Sequence, residues 1–319
     1  MKRLLSSGFA LVCLVAAARA EATYSVVAVD RASRQVGGAG VSCVGSLDVS
    51  VIYGSAPGRG AVHAQAALYF AGRDEAVRLL QEGVAPEQIL AAVTDATFDQ
   101  LAASRQYAVV DLEGRSAGYT GAQCGDHASD AQGELEPYVY SVQGNILTSA
   151  AVIENAEAGF RAEGCDLAER LMRSIEAGAQ DGEGDSRCTG DGLPADSGFI
   201  HVELEDGTEH LHLSVQSTSP ESPLSQLRTQ FEAWRLEHPC PEPVTPGAGG
   251  GAGGAGSTNA GASGGSTAAT DGGACACSTP GRGGAGSPHA AWFGLAAAAW
   301  LRRRRARRTT PARRARSQR

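Results

Sequence analysis

The stretch Ala18-Arg19-Ala20-Glu21-Ala22-Thr23-Tyr24-Ser25 joins two parts of the chain that differ in character. Upstream, two basic residues precede a short apolar run, which is typical of a secretory signal and too short for a membrane span. Downstream, Tyr24 to Val29 is rich in the β-branched and aromatic residues that favour a strand. Small residues allow signal cleavage after Ala20 or after Ala22, and the signal by itself leaves both registers open.

Cleavage after Ala22 would make Thr23 the first residue of the mature protein. A free α-amine has a pKa of about 8, so it can take the proton of the hydroxyl on the same residue. In this register Thr23 is predicted to be a nucleophile that carries its own general base. In the other register Thr23 is an ordinary β-branched strand residue.

The charge of the chain is distributed unevenly. The 319 residues carry a net charge of −8, yet the segment from Thr23 to Glu242 holds 13 basic and 33 acidic residues, a balance of about −20. Such an acidic domain is not expected to bind nucleic acid or an anionic membrane surface. At about 220 residues, it is long enough to form one domain with its own core.

Cysteine usage is consistent with export. Cys13 leaves with the signal, and the five cysteines that remain in the domain can form at most two disulfides. A bond between Cys165 and Cys188 is the preferred pairing, because both flank one predicted helix. The five cysteines are Cys43, Cys124, Cys165, Cys188 and Cys240.

Strand patterns occupy both ends of the domain, and helix pairs lie between them, which predicts an α+β layered fold. Asp206-Gly207 is a strong hairpin turn signal between two strands. Gly37, Gly38 and Gly40 lie inside a predicted strand with no helix after it. They therefore indicate close approach of another backbone or a ligand, not a dinucleotide site.

Five segments of the domain resemble the bacterial family called domain of unknown function 1028, and the resemblance covers about residues 23 to 237. That family is similar to N-terminal nucleophile hydrolases, which implies a four-layer αββα sandwich and an attack on an amide by Thr23. The segments are Thr23-Tyr24-Ser25-Val26-Val27-Ala28, Gln81-Glu82-Gly83-Val84, Tyr119-Thr120-Gly121, Ser141-Val142-Gln143-Gly144-Asn145-Ile146-Leu147 and Gly184-Asp185-Ser186-Arg187-Cys188.

Under this interpretation, Asn145 and the backbone N–H groups around Gly144 would stabilise the oxyanion. Gln143 and Gln65 would orient the substrate or the α-amine. The alternative for the amide side chains is that they satisfy backbone groups at a strand end. No cofactor is expected, because the α-amine supplies the base.

Asp185 and Arg187 would hold the amine or a charged end of the substrate. The alternative for these two residues is a structural ion pair that fixes a loop.

The late hairpin offers a different site. If Asp206-Gly207 is a two-residue turn, Glu203 faces His210 and His201 faces His212, and these four side chains could bind zinc. The same alternation describes the solvent face of an edge hairpin, and the regular apolar pattern favours that interpretation.

The chain after residue 240 changes character. Residues 241–274 are mostly Gly, Ala, Ser and Thr and are predicted to be a flexible linker. Residues 275–319 hold Cys275 and Cys277, a short apolar segment and an arginine cluster. This end resembles the C-terminal sorting signals of myxobacterial surface proteins, which implies attachment through a modified cysteine and removal of the tail by a sorting protease. A permanent single-span anchor is the alternative.

The sequence therefore predicts a signal peptide (1–22), a hydrolase-like domain (23–240), a linker and a sorting signal. The expected function is a secreted, surface-tethered amidohydrolase that acts on a small amide or peptide and contacts the membrane only through its C-terminal anchor. The competing hypothesis is a non-catalytic extracellular binding module on the same fold.

Overall fold

The computed structural model describes residues 22–45, 47–216 and 221–241. These residues form a mixed α+β fold with two antiparallel sheets and five α-helices. The predicted α+β class is confirmed. The strands are β1 (Thr23–Asp30), β2 (Gln35–Ser42), β3 (Tyr53–Ala56), β4 (Gly60–Ala66), β5 (Arg105–Asp111), β6 (Ser116–Thr120), β7 (Ser129–Leu135), β8 (Tyr138–Asn145), β9 (Ser197–Glu203) and β10 (Glu209–Gln216). The helices are α1 (Phe70–Gln81), α2 (Pro86–Val93), α3 (Ala151–Arg161), α4 (Leu167–Ala177) and α5 (Pro223–Glu237).

Strand β1 lies near the centre of the larger sheet. The strand order is β10-β9-β2-β1-β8-β7 in the six-stranded sheet and β3-β4-β5-β6 in the four-stranded sheet. Within the first of these, Thr23 lies between Ser42 of β2 and Asn145 of β8. The first residue of β1 is therefore held on both sides by backbone pairing.

The alternation of side chains along β1 decides which layer each residue contacts. Tyr24, Val26 and Ala28 pack in the core that contains α3, α4 and α5. Val27 and Val29 point the other way and pack with Ala61, Ala108 and Val110 of the smaller sheet. A further apolar cluster joins the smaller sheet to α1 and α2.

Three elements differ from the pattern-based expectation. The sequence pattern that begins at Pro86 predicts a helix through about Leu101, but α2 ends at Val93, because Asp95 accepts hydrogen bonds from the backbone N–H and the hydroxyl of Thr97 in a turn. The polar sequence before Tyr138 predicts a loop, but β7 forms there because β8 pairs with it along its whole length. The apolar pattern from Val49 to Tyr53 predicts a strand, but the segment begins as a short 3-10 helix and becomes β3 at Tyr53.

The expected disulfide between Cys165 and Cys188 is wrong. The bonds join Cys43 to Cys188 and Cys165 to Cys240, and Cys124 is a buried free thiol. Cys165 and Cys188 lie beyond opposite ends of α4, whose 11 residues span about 16 Å. That is well beyond the 7 Å limit for Cα atoms that a disulfide can join.

No helix within the described ranges has both the length and the apolar character needed to cross a membrane. Apart from Ala22 and Pro241, the predicted signal and linker lie outside the described residues, as do Cys275, Cys277 and the arginine-rich end.

Candidate active site

One end of the space between the two sheets is polar. The inward faces of β1, β2 and β8 contribute Thr23, Ser42 and Asn145, which are direct cross-strand neighbours. The facing strands β4 and β5 contribute Gln65 and Gln106, also paired across their strands. All five side chains are buried. The other end of the same space is filled by valine and alanine side chains.

Thr23 is 2% exposed, and its hydroxyl donates a hydrogen bond to Ser42 Oγ at 3.1 Å. Ser42 in turn donates to the carbonyl oxygen of Ala22, the residue before Thr23. Arg187 Nη2 donates to the same oxygen at 3.0 Å. Two side-chain donors therefore converge on a carbonyl that is one bond away from the nitrogen of Thr23.

Asp185 holds Arg187 in this position. Its carboxylate is fully buried and accepts hydrogen bonds from Arg187 Nε at 3.2 Å and Nη2 at 3.0 Å. It also accepts from the backbone N–H of Cys43 at 2.6 Å. The Cys43–Cys188 disulfide joins the same two segments covalently. The loop that carries Arg187 is thus tied to the end of β2 by a hydrogen bond and a covalent bond, and the ion pair within the loop orients Arg187.

A network of amides lies beneath Thr23. Gln65 Nε2 donates to the carbonyl of Thr23 at 3.2 Å and to Gln106 Oε1 at 2.9 Å. Gln106 Nε2 donates to the Gly144 carbonyl at 2.8 Å, and it also contacts Thr120 and the Ser129 carbonyl. These contacts fix which end of each amide is nitrogen.

Asn145 takes part in the network with only one end of its amide. Its Nδ2 donates to Gln106 Oε1 at 3.2 Å, while its buried Oδ1 has no hydrogen-bond partner among the described residues. Gln143 is fully buried, and neither atom of its amide has a partner there. Such groups are costly unless water or a ligand satisfies them.

Two non-glycine residues with left-handed backbone directly follow residues of this cluster. Ala66, after Gln65, has φ 66°, and Ile146, after Asn145, has φ 51°. A β-branched residue is rarely found there, because its side chain crowds the backbone. The carbonyl of Ile146 accepts from both the backbone N–H and the hydroxyl of Ser186. Local strain of this kind concentrates at functional sites.

His63 lies deeper, behind Gln65. Its Nδ1 is 2.9 Å from Ser25 Oγ, and the Ser25 hydroxyl donates to Gln65 Oε1 at 2.6 Å. Nδ1 therefore carries the proton, and the buried Nε2 has no partner among the described residues. Burial lowers the pKa of His63 to about 3, so its imidazole is neutral at pH 7. Glycine is required at Gly38, because a Cβ there would clash with His63 Nε2.

A small apolar pocket opens beside Thr23. It holds about 20 Å³ of water-accessible space, which is room for about one water molecule. Its walls come mainly from the segment that follows β2. The lining residues are Thr23, Val44, Leu47, Val49, Val51, Ile52, Gln65, Ala66 and Leu68.

The face of the late hairpin differs from the expectation in one residue. His201 faces His212 as predicted, but Glu203 faces Glu209, and a β-bulge displaces His210. His210 packs against Trp234 and His238 instead. The face is also not simply a solvent face, since Tyr53 covers His201 with ring centres 5.0 Å apart. Burial lowers the pKa of His201, although the nearby Glu203 carboxylate opposes this.

The structure brings Thr23, Gln65 and Asn145 into one network and places Arg187, which Asp185 holds, against Ala22. Gly144 joins through its carbonyl, and Gln143 lies on the same inward face with no hydrogen-bond partner for its amide among the described residues. Sequence reasoning missed Ser42 and Gln106 and gave His63 no role. Gln106 was missed because the apolar strand pattern in the sequence begins one residue later, at Tyr107, whereas β5 begins at Arg105. Period-two alternation from Gln65 would have indicated His63.

The chain matches the model of one known protein family over most of its described residues. Residues 23–227 match the family described as "Family of unknown function (DUF1028)", which is well over half of the chain. The chain belongs to this family. The match begins at Thr23, the first residue of β1.

Among solved structures, the chain is similar to protein SPO2555 from Silicibacter pomeroyi, another DUF1028 member. The TM-score is 0.56 at 24% identity, covering 67% of this chain and 89% of the other. At this identity the similarity shows a shared fold only. No curated protein matches the chain.

Proposed function

We propose that this protein is a secreted, surface-tethered amidohydrolase whose nucleophile is the hydroxyl of Thr23 at a processed N-terminus. The observation that carries the proposal is the pair of donors, Ser42 Oγ and Arg187 Nη2, on the carbonyl that precedes Thr23. The layered order of helices and sheets supports an N-terminal nucleophile hydrolase fold of αββα type.

Removal of Ala22 would leave these two donors beside a free α-amine. The carbonyl oxygen of a substrate amide then takes the position that the Ala22 oxygen held. Arg187 is anchored by Asp185, so the donor is oriented before the substrate arrives. Donors fixed in advance stabilise the developing oxyanion without reorganisation. Arg187 and Ser42 are therefore better oxyanion donors than Asn145, whose Nδ2 is engaged by Gln106.

The reaction has two halves. The Thr23 hydroxyl attacks the amide carbon, its proton passes to the α-amine, and the amine leaving group departs with that proton. Water then attacks the carbonyl carbon of the resulting ester while the α-amine takes a proton from the water. The bond between Thr23 Oγ and the acyl carbon breaks, Thr23 Oγ regains the proton from the α-amine, and the acid product leaves. We assign Asn145 Oδ1, an acceptor on the neighbouring strand that has no partner among the described residues, to hold the α-amine.

The pocket beside Thr23 limits the acyl group. Its apolar walls and its volume of about 20 Å³ suit an acyl group with about one methyl group beyond the carbonyl, and no charged group. A longer chain requires the segment from Val44 to Ile52 to move.

The experiment combines intact-mass analysis of the exported protein with assays on a panel of short-chain acyl amides. We expect a mature N-terminus at Thr23. The Thr23→Ala variant should lose at least about 10³-fold in kcat/KM with an unchanged circular dichroism spectrum. Thr23→Ser should keep measurable activity, and Thr229→Ala, on an exposed position of α5, should behave as wild type. Full activity in a correctly processed Thr23→Ala protein would contradict the proposal.

The burial of Ala22 favours a second function, a non-catalytic binding module. Ala22 is 0% exposed and contributes a carbonyl to the network. If the exported protein keeps Glu21-Ala22, the α-amine of Thr23 is blocked and this second function is correct. The same intact-mass measurement decides between the two.

A further inference from the structure

The bulged hairpin of β9 and β10 presents a second polar cluster that the proposed hydrolase reaction does not use. Cross-strand pairing places His201 opposite His212 and Glu203 opposite Glu209. Because the bulge at His210 adds one residue, Glu209 and His212 share a face although they are three residues apart. We call these four residues the hairpin cluster.

The donor atoms of the hairpin cluster are already close together. Those of His201, Glu209 and His212 all lie within 4.8 Å of one another. Tetrahedral zinc, with bonds of about 2.1 Å, holds its ligand atoms about 3.4 Å apart. Side-chain rotations alone can close that difference, since His212 and Glu209 project from an edge strand.

The atom that points most directly to a ligand is His201 Nε2. It is buried and has no hydrogen-bond partner among the described residues, and the carboxylate of Glu203 stands 3.7 Å away. A cation between these two groups would satisfy both. The Tyr53 hydroxyl donates to the other oxygen of Glu203 at 3.2 Å, and the Tyr53 ring packs on His201. Outer contacts of this kind orient metal ligands.

Access and charge both suit a cation. The side chains of His212 and Glu209 are 36% and 59% exposed, so an ion can enter from solvent. The two carboxylates of the cluster place negative charge beside the two imidazoles. Mixed nitrogen and oxygen donors select zinc-like ions, whereas calcium and magnesium prefer oxygen alone.

We propose that His201, Glu203, Glu209 and His212 bind one zinc-class divalent ion at the open edge of the six-stranded sheet. This site is independent of the hydrolase proposal, since it shares no residue with it. The bulge supplies a matched control, because His210 is a histidine of the same strand that faces away from the cluster.

The test uses the full exported protein, stripped with a chelator and titrated with Zn²⁺ at pH 7 against a colorimetric zinc indicator. We expect one tight equivalent of zinc in wild type and in His210→Ala. We expect at least about tenfold weaker binding in His201→Ala and in His212→Ala, because each loses one ligand.

Two results would overturn the proposal. One is the absence of zinc binding by wild type, and the other is unchanged affinity in the His201→Ala/His212→Ala double variant. The second result would place any bound zinc elsewhere, for example on Cys275 and Cys277. Anomalous diffraction from zinc-soaked wild-type crystals gives an answer that needs no variant to fold, with density expected at the hairpin cluster.

Discussion

The Thr23 network and the hairpin cluster lie on the same face of one sheet, yet they are built differently. Around Thr23, neutral amides and hydroxyls are fully buried, and Gln106 alone contacts five partners. The hairpin cluster consists of ionisable side chains on the edge strand β10 and its neighbour β9, and they remain partly open to solvent. Aromatic rings lie between the two, since Tyr53 contacts both His63 and His201.

This difference shows how position in a sheet selects chemistry. A central strand fixes its polar groups through neighbours on both sides, which suits the precise placement of a nucleophile and its donors. An edge strand leaves ligands room to move and leaves their charges hydrated, which suits capture of an ion. Substitutions in the Thr23 network should therefore affect stability strongly, and matched substitutions at exposed positions should not.

The largest expected loss is in Gln106→Ala, which should lower the free energy of unfolding by about 3 kcal/mol. The substitution removes one hydrogen bond each from the Gly144 and Ser129 carbonyls and the Gln65 amide, and it removes the bond that Asn145 Nδ2 donates. Gln132→Ala, at an exposed position of β7, should cost less than about 1 kcal/mol. Urea unfolding of the oxidised proteins measures both, and equal losses would mean that the amide network is not a tightly coupled unit.

A smaller effect is expected in Arg187→Ala, which should lower the free energy of unfolding by about 2 kcal/mol. The buried Asp185 carboxylate loses its counterion but keeps its backbone donors, and Arg187 itself is one-third exposed. Arg78→Ala removes an exposed arginine paired with Glu75 and Glu82 and should cost under about 0.5 kcal/mol. If Arg187→Ala leaves the free energy of unfolding unchanged, the burial of the Asp185 carboxylate does not depend on this ion pair.

The smallest effect is a pH dependence caused by His63. Folded His63 binds a proton only near pH 3, whereas the unfolded chain binds it near pH 6.5. Between these values the unfolded state holds more protons, so stability falls as the pH falls. Below pH 6, the free energy of unfolding of wild type should fall by about 1.4 kcal/mol per pH unit relative to that of His63→Asn, which lacks the imidazole.

The control for this prediction is His127→Asn at an exposed position with φ 50°, where asparagine is well tolerated. In urea unfolding at pH 7, 6 and 5, the free energy of unfolding of His127→Asn should fall with decreasing pH as steeply as that of wild type. Equal slopes in wild type and His63→Asn would show that the imidazole is not held neutral by burial.

Local patterns predicted much of the fold. The apolar run from Tyr24 to Val29, the late hairpin and the helix pair α3 and α4 form as expected. The hairpin turn itself differs, because Leu204 and Thr208 close a loop of three residues rather than the two-residue Asp206-Gly207 turn. Each is determined by residues within a few positions of one another. The polar β7 and the shorter α2 were missed, because a distant strand or a turn side chain outweighs local propensity there.

The candidate site was predicted in part. Thr23, Gln65 and Asn145 were selected from the sequence, and the structure joins them through Gln106. Whether they perform catalysis stays a prediction. Ser42 and the donor pair on Ala22 could not be foreseen, since they depend on how β1, β2 and the loop of Arg187 meet.

By itself, the sequence determined an acidic domain that begins with a strand at Thr23, the α+β class and the late hairpin. Only the tertiary structure decided the two disulfides, the contact of Arg187 with the Ala22 carbonyl, and the bulge. This bulge places Glu209 instead of His210 opposite Glu203. The physical reason is the separation along the sequence over which each kind of interaction acts. Propensity and turn chemistry act over a few residues, whereas disulfide partners and strand register depend on segments up to 145 residues apart.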